Sequence, residues 1–273
     1  MKSKLLHEDF AKLYFIEMVL AASIFVQTRN PSFSQNQMYV PATKPNVSTD
    51  PSTLPPGPLT DSIRLGLKIF QHTPESAPAY VGNKLSCSDC HLQNGTAPYS
   101  SPMVGIPGMF PAYNKRANRV VTLEERTQEC FVRSENGSLM IPADSPEMTA
   151  LIAYMQWISR GVPAGKNPPG RGLVKLPALA ADPTRGEDIY VKQCASCHGA
   201  EGAGIAGLFP PVWGKDSFNT GAGMDQPAKM AAFVKQNMPQ NSPGSLTAQQ
   251  AYDVSAYIDS KPHPPFNPAF KNY

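Results

Sequence analysis

Apolar positions along this chain fall into two similarly built blocks set among polar, proline-rich stretches. Gly66 and Phe70 stand four apart in Gly66-Leu-Lys-Ile-Phe70, and Gly186 and Tyr190 do so in Gly186-Glu-Asp-Ile-Tyr190. That spacing puts a small and an aromatic residue on one face of a helix. Each block also closes with a helical pattern. Ser145-Pro146-Glu147 opens one that runs through Ile152, Ala153, Tyr154 and Trp157; Thr247 opens the other, through Val254, Ala256, Tyr257 and Ile258. Asp182 with Pro183 supplies an N-cap and a first-turn proline for the second block's opening helix. Ala153-Tyr154 and Ala256-Tyr257 lie 103 positions apart, which reads as an internal duplication. In each block the first helix should cross the last, with glycine allowing close approach. No strand ladder stands out, so the expected fold is mainly α with long loops.

The blocks bound two domains, 61–162 and 182–265, joined by a linker over 163–181 that holds Pro163, Pro168, Pro169 and Pro177 and followed by a tail, 266–273. Residues 28–60, rich in Pro, Ser, Thr, Asn and Gln, read as an extended leader. Residues 1–27 carry Lys2 and Lys4, then a patchily apolar stretch from Leu13 to Val26 broken by Glu17. A transmembrane helix needs about 20 apolar residues, so this segment reads as an export signal or a weak anchor. Its nearest cleavage-like stretch is Ala21-Ala22-Ser23. The 29 prolines and only 16% charged residues suit compact domains with ordered turns and speak against a helical bundle. A net charge of +3 is too small to imply a nucleic-acid partner.

Cysteines change the picture most. Four of the five sit in Cys87-Ser-Asp-Cys90-His91 and Cys194-Ala-Ser-Cys197-His198. A C-x-x-C pair alone could hold zinc or form a redox disulfide, but an adjacent His makes the haem-attachment signature. Two thiols one turn apart add to the two vinyl groups of a porphyrin, and the imidazole reaches the iron. Two such motifs, 107 positions apart in matching contexts, imply two covalently bound haem c groups. With the helix pattern they predict two class I cytochrome c domains in tandem. Covalent attachment also implies a periplasmic location, by export.

The second axial ligand of each iron decides between relaying electrons and doing chemistry. Met238, in Asn237-Met238-Pro239, lies 40 residues after His198 in an expected loop, with Met224 and Met230 as fallbacks. In the first block Cys130 lies 39 residues after His91, in the expected loop between the haem motif and the closing helix, and Met140 lies 49 after it. A free Cys is often a small buried hydrophobe. Arg116, Arg119, Arg126 and Arg133 around it would favour a thiolate, whereas Glu124, Glu125, Glu129 and Glu135 allow an ordinary solvated helix face. Spacing leaves ligand and core residue equally open.

The stretch Arg116 … Arg126-x-x-x-Cys130-Phe131-x-Arg133-Ser134-x-Asn136-Gly137 closely resembles the dihaem thiosulfate dehydrogenases that form tetrathionate. The resemblance runs over residues 60–265, and Cys-Phe-x-Arg-Ser is its most specific part. It implies His91 and Cys130 as ligands of the first haem, His198 and Met238 as ligands of the second, and Arg116, Arg126 and Ser134 as substrate-binding residues. Some members place a Lys before the Met as an alternative ligand; this chain has Asn237. Thiosulfate is a dianion, and two must meet, so the site needs cations. Arg offers bidentate contacts to sulfonate oxygens, and Lys115 is a further candidate. Cys130 would then act as nucleophile, holding one thiosulfate by its sulfane sulfur until the second displaces it as tetrathionate. Electrons would leave through the second haem to a small soluble cytochrome or similar acceptor. Tetrathionate reduction would use the same parts in reverse.

Two rivals remain on the residues. A dihaem electron carrier would use Met140 at the first iron; a cytochrome subunit of a multi-protein sulfur-oxidising complex would receive substrate on a partner protein. Among other residues, His7, His72 and His263 read as surface residues, Trp157 and Trp213 as packing beside haem, and Gln93 and Asn94 as either pocket lining or plain loop.

Overall fold

A computed structural model describes Ser48 and residues 50–272. The export-signal reading of 1–27, most of the leader and His7 lie outside the described residues. The longer helices are α1 (Pro58–Gln71), α3 (Leu123–Arg133), α4 (Pro146–Ile158), α5 (Pro183–Gln193), α7 (Pro227–Asn237) and α8 (Ala248–Asp259). Two one-turn helices carry the paired cysteines, α2 (Cys87–Cys90) and α6 (Ala195–His198). Among the described residues, no helix is long and apolar enough to cross a membrane.

The expected caps form. Ser145 Oγ accepts from the Met148 amide at 3.1 Å, and an Asp182 carboxylate oxygen accepts from the Thr184 amide at 2.8 Å. Thr247 and Gln250 close a reciprocal capping box at 3.1 and 2.8 Å. The two crossings also form, for the reason expected. A Cβ on Gly66 would stand 2.0 Å from the Ala150 carbonyl oxygen, and one on Gly186 would stand 2.0 Å from that of Asp253. Only glycine admits backbones this close. Ala150 and Asp253 keep the 103-residue offset of the closing helices, so the duplication extends to the contact itself.

Each crossing anchors a core. The first gathers Ile69, Phe70, Leu151, Tyr154, Trp157 and Ile158; the second gathers Tyr190, Trp213, Met230, Val234, Val254 and Tyr257. Leu85, from the first block, belongs to the second core, so the two halves share apolar surface. Polar ties add to this. Asn83 Nδ2 donates to the Ser134 and Ser217 carbonyls at 2.7 and 3.0 Å, and Asn219 Nδ2 donates to the Val132 carbonyl at 2.9 Å.

One local expectation needs correction. Cys130 lies on α3 and not in a loop. Thr122 caps this helix through Glu125, and acidic residues fill the first turn, where the helix dipole favours them. Met238 falls where expected, in the loop before the closing helix α8, directly after the eleven-residue helix α7. A short antiparallel ribbon is also present, β1 (Ala112–Asn114) against β2 (Arg119–Val121). Three residues per strand are too few to show alternation in a sequence.

Candidate active site

At the first cysteine pair, Ser86 and Asp89 form a capping box that fixes α2. His91 caps its other end, with Nδ1 2.7 Å from the Ser101 carbonyl oxygen. Donation from Nδ1 leaves Nε2 with the lone pair a metal needs. Burial lowers the His91 pKa to about 4, outweighing the carbonyl contacts, so the imidazole stays neutral. The second pair repeats the device: His198 Nδ1 lies 2.9 Å from the Pro210 carbonyl oxygen, and burial lowers this imidazole too. Burial raises the Cys87 thiol and lifts Cys194 to about 11. Both therefore remain thiols, the form that adds across a vinyl group.

A mostly apolar cavity with about 620 Å³ of empty space opens against Cys87, Cys90 and His91, and Cys130, Ser134, Met103 and Met155 also line it. Met140 is not among its lining residues. Arg126, Cys130 and Ser134 follow at steps of four along α3 and so share one helical face. Arg126 Nη1 lies 3.2 Å from Cys130 Sγ. Coulombic attraction to Cys130 is the chief cause that holds the Arg126 guanidinium above its ordinary pKa.

The ribbon supplies the other arginine. Arg116 sits between β1 and β2, its amide accepted by Asn114 Oδ1 at 2.9 Å. Glu129, read from the sequence as part of a solvated face, is buried: it lies 3.7 Å from Arg116 and 3.6 Å from Arg126 and accepts from Asn114 Nδ2. One carboxylate thus gathers both arginines. Arg116, Arg126 and Lys115 line a second, polar cleft next to the first cavity, with about 960 Å³ of empty space. Arg133 turns away, stacking over Phe266 at 4.2 Å, and Arg119 pairs with Glu125 at 2.7 Å.

Around the second pair, Cys194, Val212, Met224 and Met238 pack against one core, while Met230 lies inside it. Met238 is fixed by its amide, which donates to the Val234 carbonyl at 2.9 Å. Asn237 is buried beside it, donating to the Tyr99 carbonyl at 3.2 Å and the Phe233 carbonyl at 3.0 Å. Gln93 and Asn94 do not line the first cavity. They form a left-handed bend at φ 53° and 55°, and Asn94 accepts from Gln71 and Tyr154. Trp157 and Trp213 pack on Tyr154 and Tyr190 at the crossings. His263 contacts the carbonyls of Phe218 and Ile258.

Residues 79–164 match the family model described as SoxA/TsdA, cytochrome c domain, and residues 181–258 match that described as Cytochrome C oxidase, cbb3-type, subunit III. The thiosulfate dehydrogenase of Allochromatium vinosum is 41% identical over 224 residues, 78% of this chain and 82% of that one. This chain belongs to the thiosulfate dehydrogenase family. The Stutzerimonas stutzeri thiosulfate dehydrogenase is 42% identical over 217 residues, 77% of this chain and 70% of its own. A solved thiosulfate dehydrogenase (TsdBA) of Marichromatium purpuratum, in its as-isolated form, superposes with a TM-score of 0.73 at 39% identity. That match covers 80% of this chain and 48% of the other, so the chain spans about half the length of that solved protein.

As a member of this family the chain carries two covalently bound haem c groups, in two cytochrome c domains. The residues present fit the first: paired thiols and a neutral imidazole border an apolar cavity, and buried Glu135, which lines it, keeps an oxygen without a hydrogen-bond partner among the described residues. They fit the second as well, with thiols, imidazole and thioethers around one core.

Proposed function

We propose that this chain oxidises two thiosulfate dianions to one tetrathionate and releases two electrons; His91 and Cys130 would hold the iron of the first haem, and His198 and Met238 that of the second. When bound, the two haems provide the one-electron acceptors this reaction requires. Arg116 and Arg126 offset the repulsion between two dianions by binding their sulfonate oxygens, and Glu129 keeps both guanidiniums in place. Cys130 offers the sulfur that meets the sulfane end of the first thiosulfate. Ser134, one turn further along the same face, offers a hydroxyl to its oxygens. Tetrathionate reduction uses the same residues in reverse. The second haem, held by His198 and Met238, would supply the exit for electrons to a small soluble cytochrome or similar acceptor, and the protein works in the periplasm, where covalent haem attachment requires its export.

The observation that carries this reading is the 3.2 Å contact between Arg126 and Cys130, at a cavity that Cys130 shares with His91. The electron-carrier reading places Met140 at the first iron, and Met140 lies outside that lining, although Met103 and Met155 belong to it. The test is a steady-state assay of the purified holoprotein with thiosulfate beside its Cys130→Gly variant. The variant should keep both haems and lose at least about a hundredfold in rate, as expected when a nucleophile is removed. Retained turnover would take Cys130 out of the mechanism.

A further inference from the structure

The polar cleft outside Arg126 holds more cations than the proposed substrate residues account for. Its walls include Arg171 and Lys229 besides Lys115, Arg116 and Arg126, and Glu129 is the only carboxylate among them. Glu129 is already taken up by Arg116 and Arg126. Arg171 contacts only the neutral amide of Asn167, and Lys229 has no acidic partner among the described residues.

Lys229 is also badly placed for stability. It is the third residue of α7, where the helix dipole disfavours a cation. It stands on the accessible rim, yet close atoms, then Arg116 and Arg126, hold its ammonium below its ordinary pKa. Three unfavourable effects converge on one side chain with no anion to relieve them. Arg171 is carried by a segment fixed to the first haem's loop: the Gly170 carbonyl accepts from Tyr99 at 2.6 Å and that of Gly172 from Ser101 at 2.9 Å. The cleft lies beside the reactive sulfur: Arg126 lines it, and its Nη1 is 3.2 Å from Cys130 Sγ.

We propose that Lys229 and Arg171 form an outer anion subsite that binds the second thiosulfate, and the far sulfonate of tetrathionate, in line with the inner position at Arg126 and Cys130. This rests on the thiosulfate reading above and extends it. A product with a sulfonate at each end needs two cationic stations. The inner one comes from α3 and the ribbon; the outer one comes from α7 and the segment that joins the two halves.

The test uses oxidised holoprotein, which cannot pass electrons to tetrathionate and so gives a stable complex for titration calorimetry. Lys229→Gln should weaken tetrathionate binding about tenfold, the usual scale for one charge-assisted contact. It should raise the thiosulfate KM by a similar factor with less effect on kcat, and leave both haem spectra unchanged. Lys229→Arg should restore both, and Lys229→Gln with Arg171→Gln should weaken binding further. Wild-type affinity in Lys229→Gln, in a protein whose parent oxidises thiosulfate, would overturn the subsite alone. Equal impairment of the Arg variant would also overturn it, by showing a packing role. A parent that neither oxidises thiosulfate nor binds tetrathionate would sink the functional reading and the subsite together.

Discussion

Glu129 is only 3% exposed and sits against two guanidiniums at 3.6 and 3.7 Å. A carboxylate stripped of water is costly unless it is paired, so it fixes Arg116 and Arg126 where they face the cleft. The opposite situation occurs at Asp259, the last residue of α8. Both its oxygens are buried without a hydrogen-bond partner among the described residues. Burial, then Asp225, raises its pKa to about 7, and the negative end of the helix dipole adds to the disfavour for charge. The folded chain therefore holds this proton more tightly than the unfolded one, whose carboxyl titrates near 4. Its contribution to stability is full below about pH 4 and is lost as pH rises through about 7. Asp259→Asn should thus melt with the parent at pH 4 and a few degrees above it at pH 8. Melting curves of both holoproteins across that range decide the matter, and parallel profiles would contradict it.

At the scale of elements, the two glycine crossings set the frame on which each haem is mounted. Adding a methyl at Gly66 or Gly186 drives it into a backbone oxygen at 2.0 Å, a clash relieved only by separating the helices. Overpacking of this kind costs about 1–3 kcal/mol or more. Gly66→Ala and Gly186→Ala should each lower the melting temperature by several degrees, and by similar amounts. Thermal unfolding monitored by circular dichroism checks this; a harmless Ala at one site only would break the claimed equivalence. These crossings were legible in the sequence because glycine, aromatic and caps are local signals repeated at a fixed offset. The helix bearing Cys130 and the one that ends before Met238 were not, because α3 carries many charges and α7 lacks a side-chain cap. The haem motifs were plain in the sequence, and Arg116, Arg126 and Ser134 came through resemblance. Lys229 and Arg171 escaped because only tertiary packing brings them to the cleft, although a lysine in a helix's first turn is itself a local anomaly.

Across the whole molecule, α3 belongs to the first half by sequence but is braced by the second. The Val132 carbonyl accepts from Asn219, and the Arg133 carbonyl accepts from the Asn219 amide at 3.2 Å. The Arg133 side chain donates to the carbonyls of Gly221 and Phe270 and stacks on Phe266. Burial lowers this guanidinium to about 10, so its contacts hold it against a real desolvation cost. Chain from after the second haem domain thus secures the helix that carries Cys130, three residues from it. Phe266→Ala removes the stacking surface, worth about 0.5–2 kcal/mol, and should reduce the melting temperature by a few degrees. The loss should also be local. Amide exchange in α3 should quicken while α1 and α4, which cross elsewhere, keep their protection. The thiosulfate KM should rise with no change in the second haem's spectrum. Uniform loss of protection across the first half would mean the tail stabilises the fold generally; loss confined to α3 would mean that the second half positions Cys130.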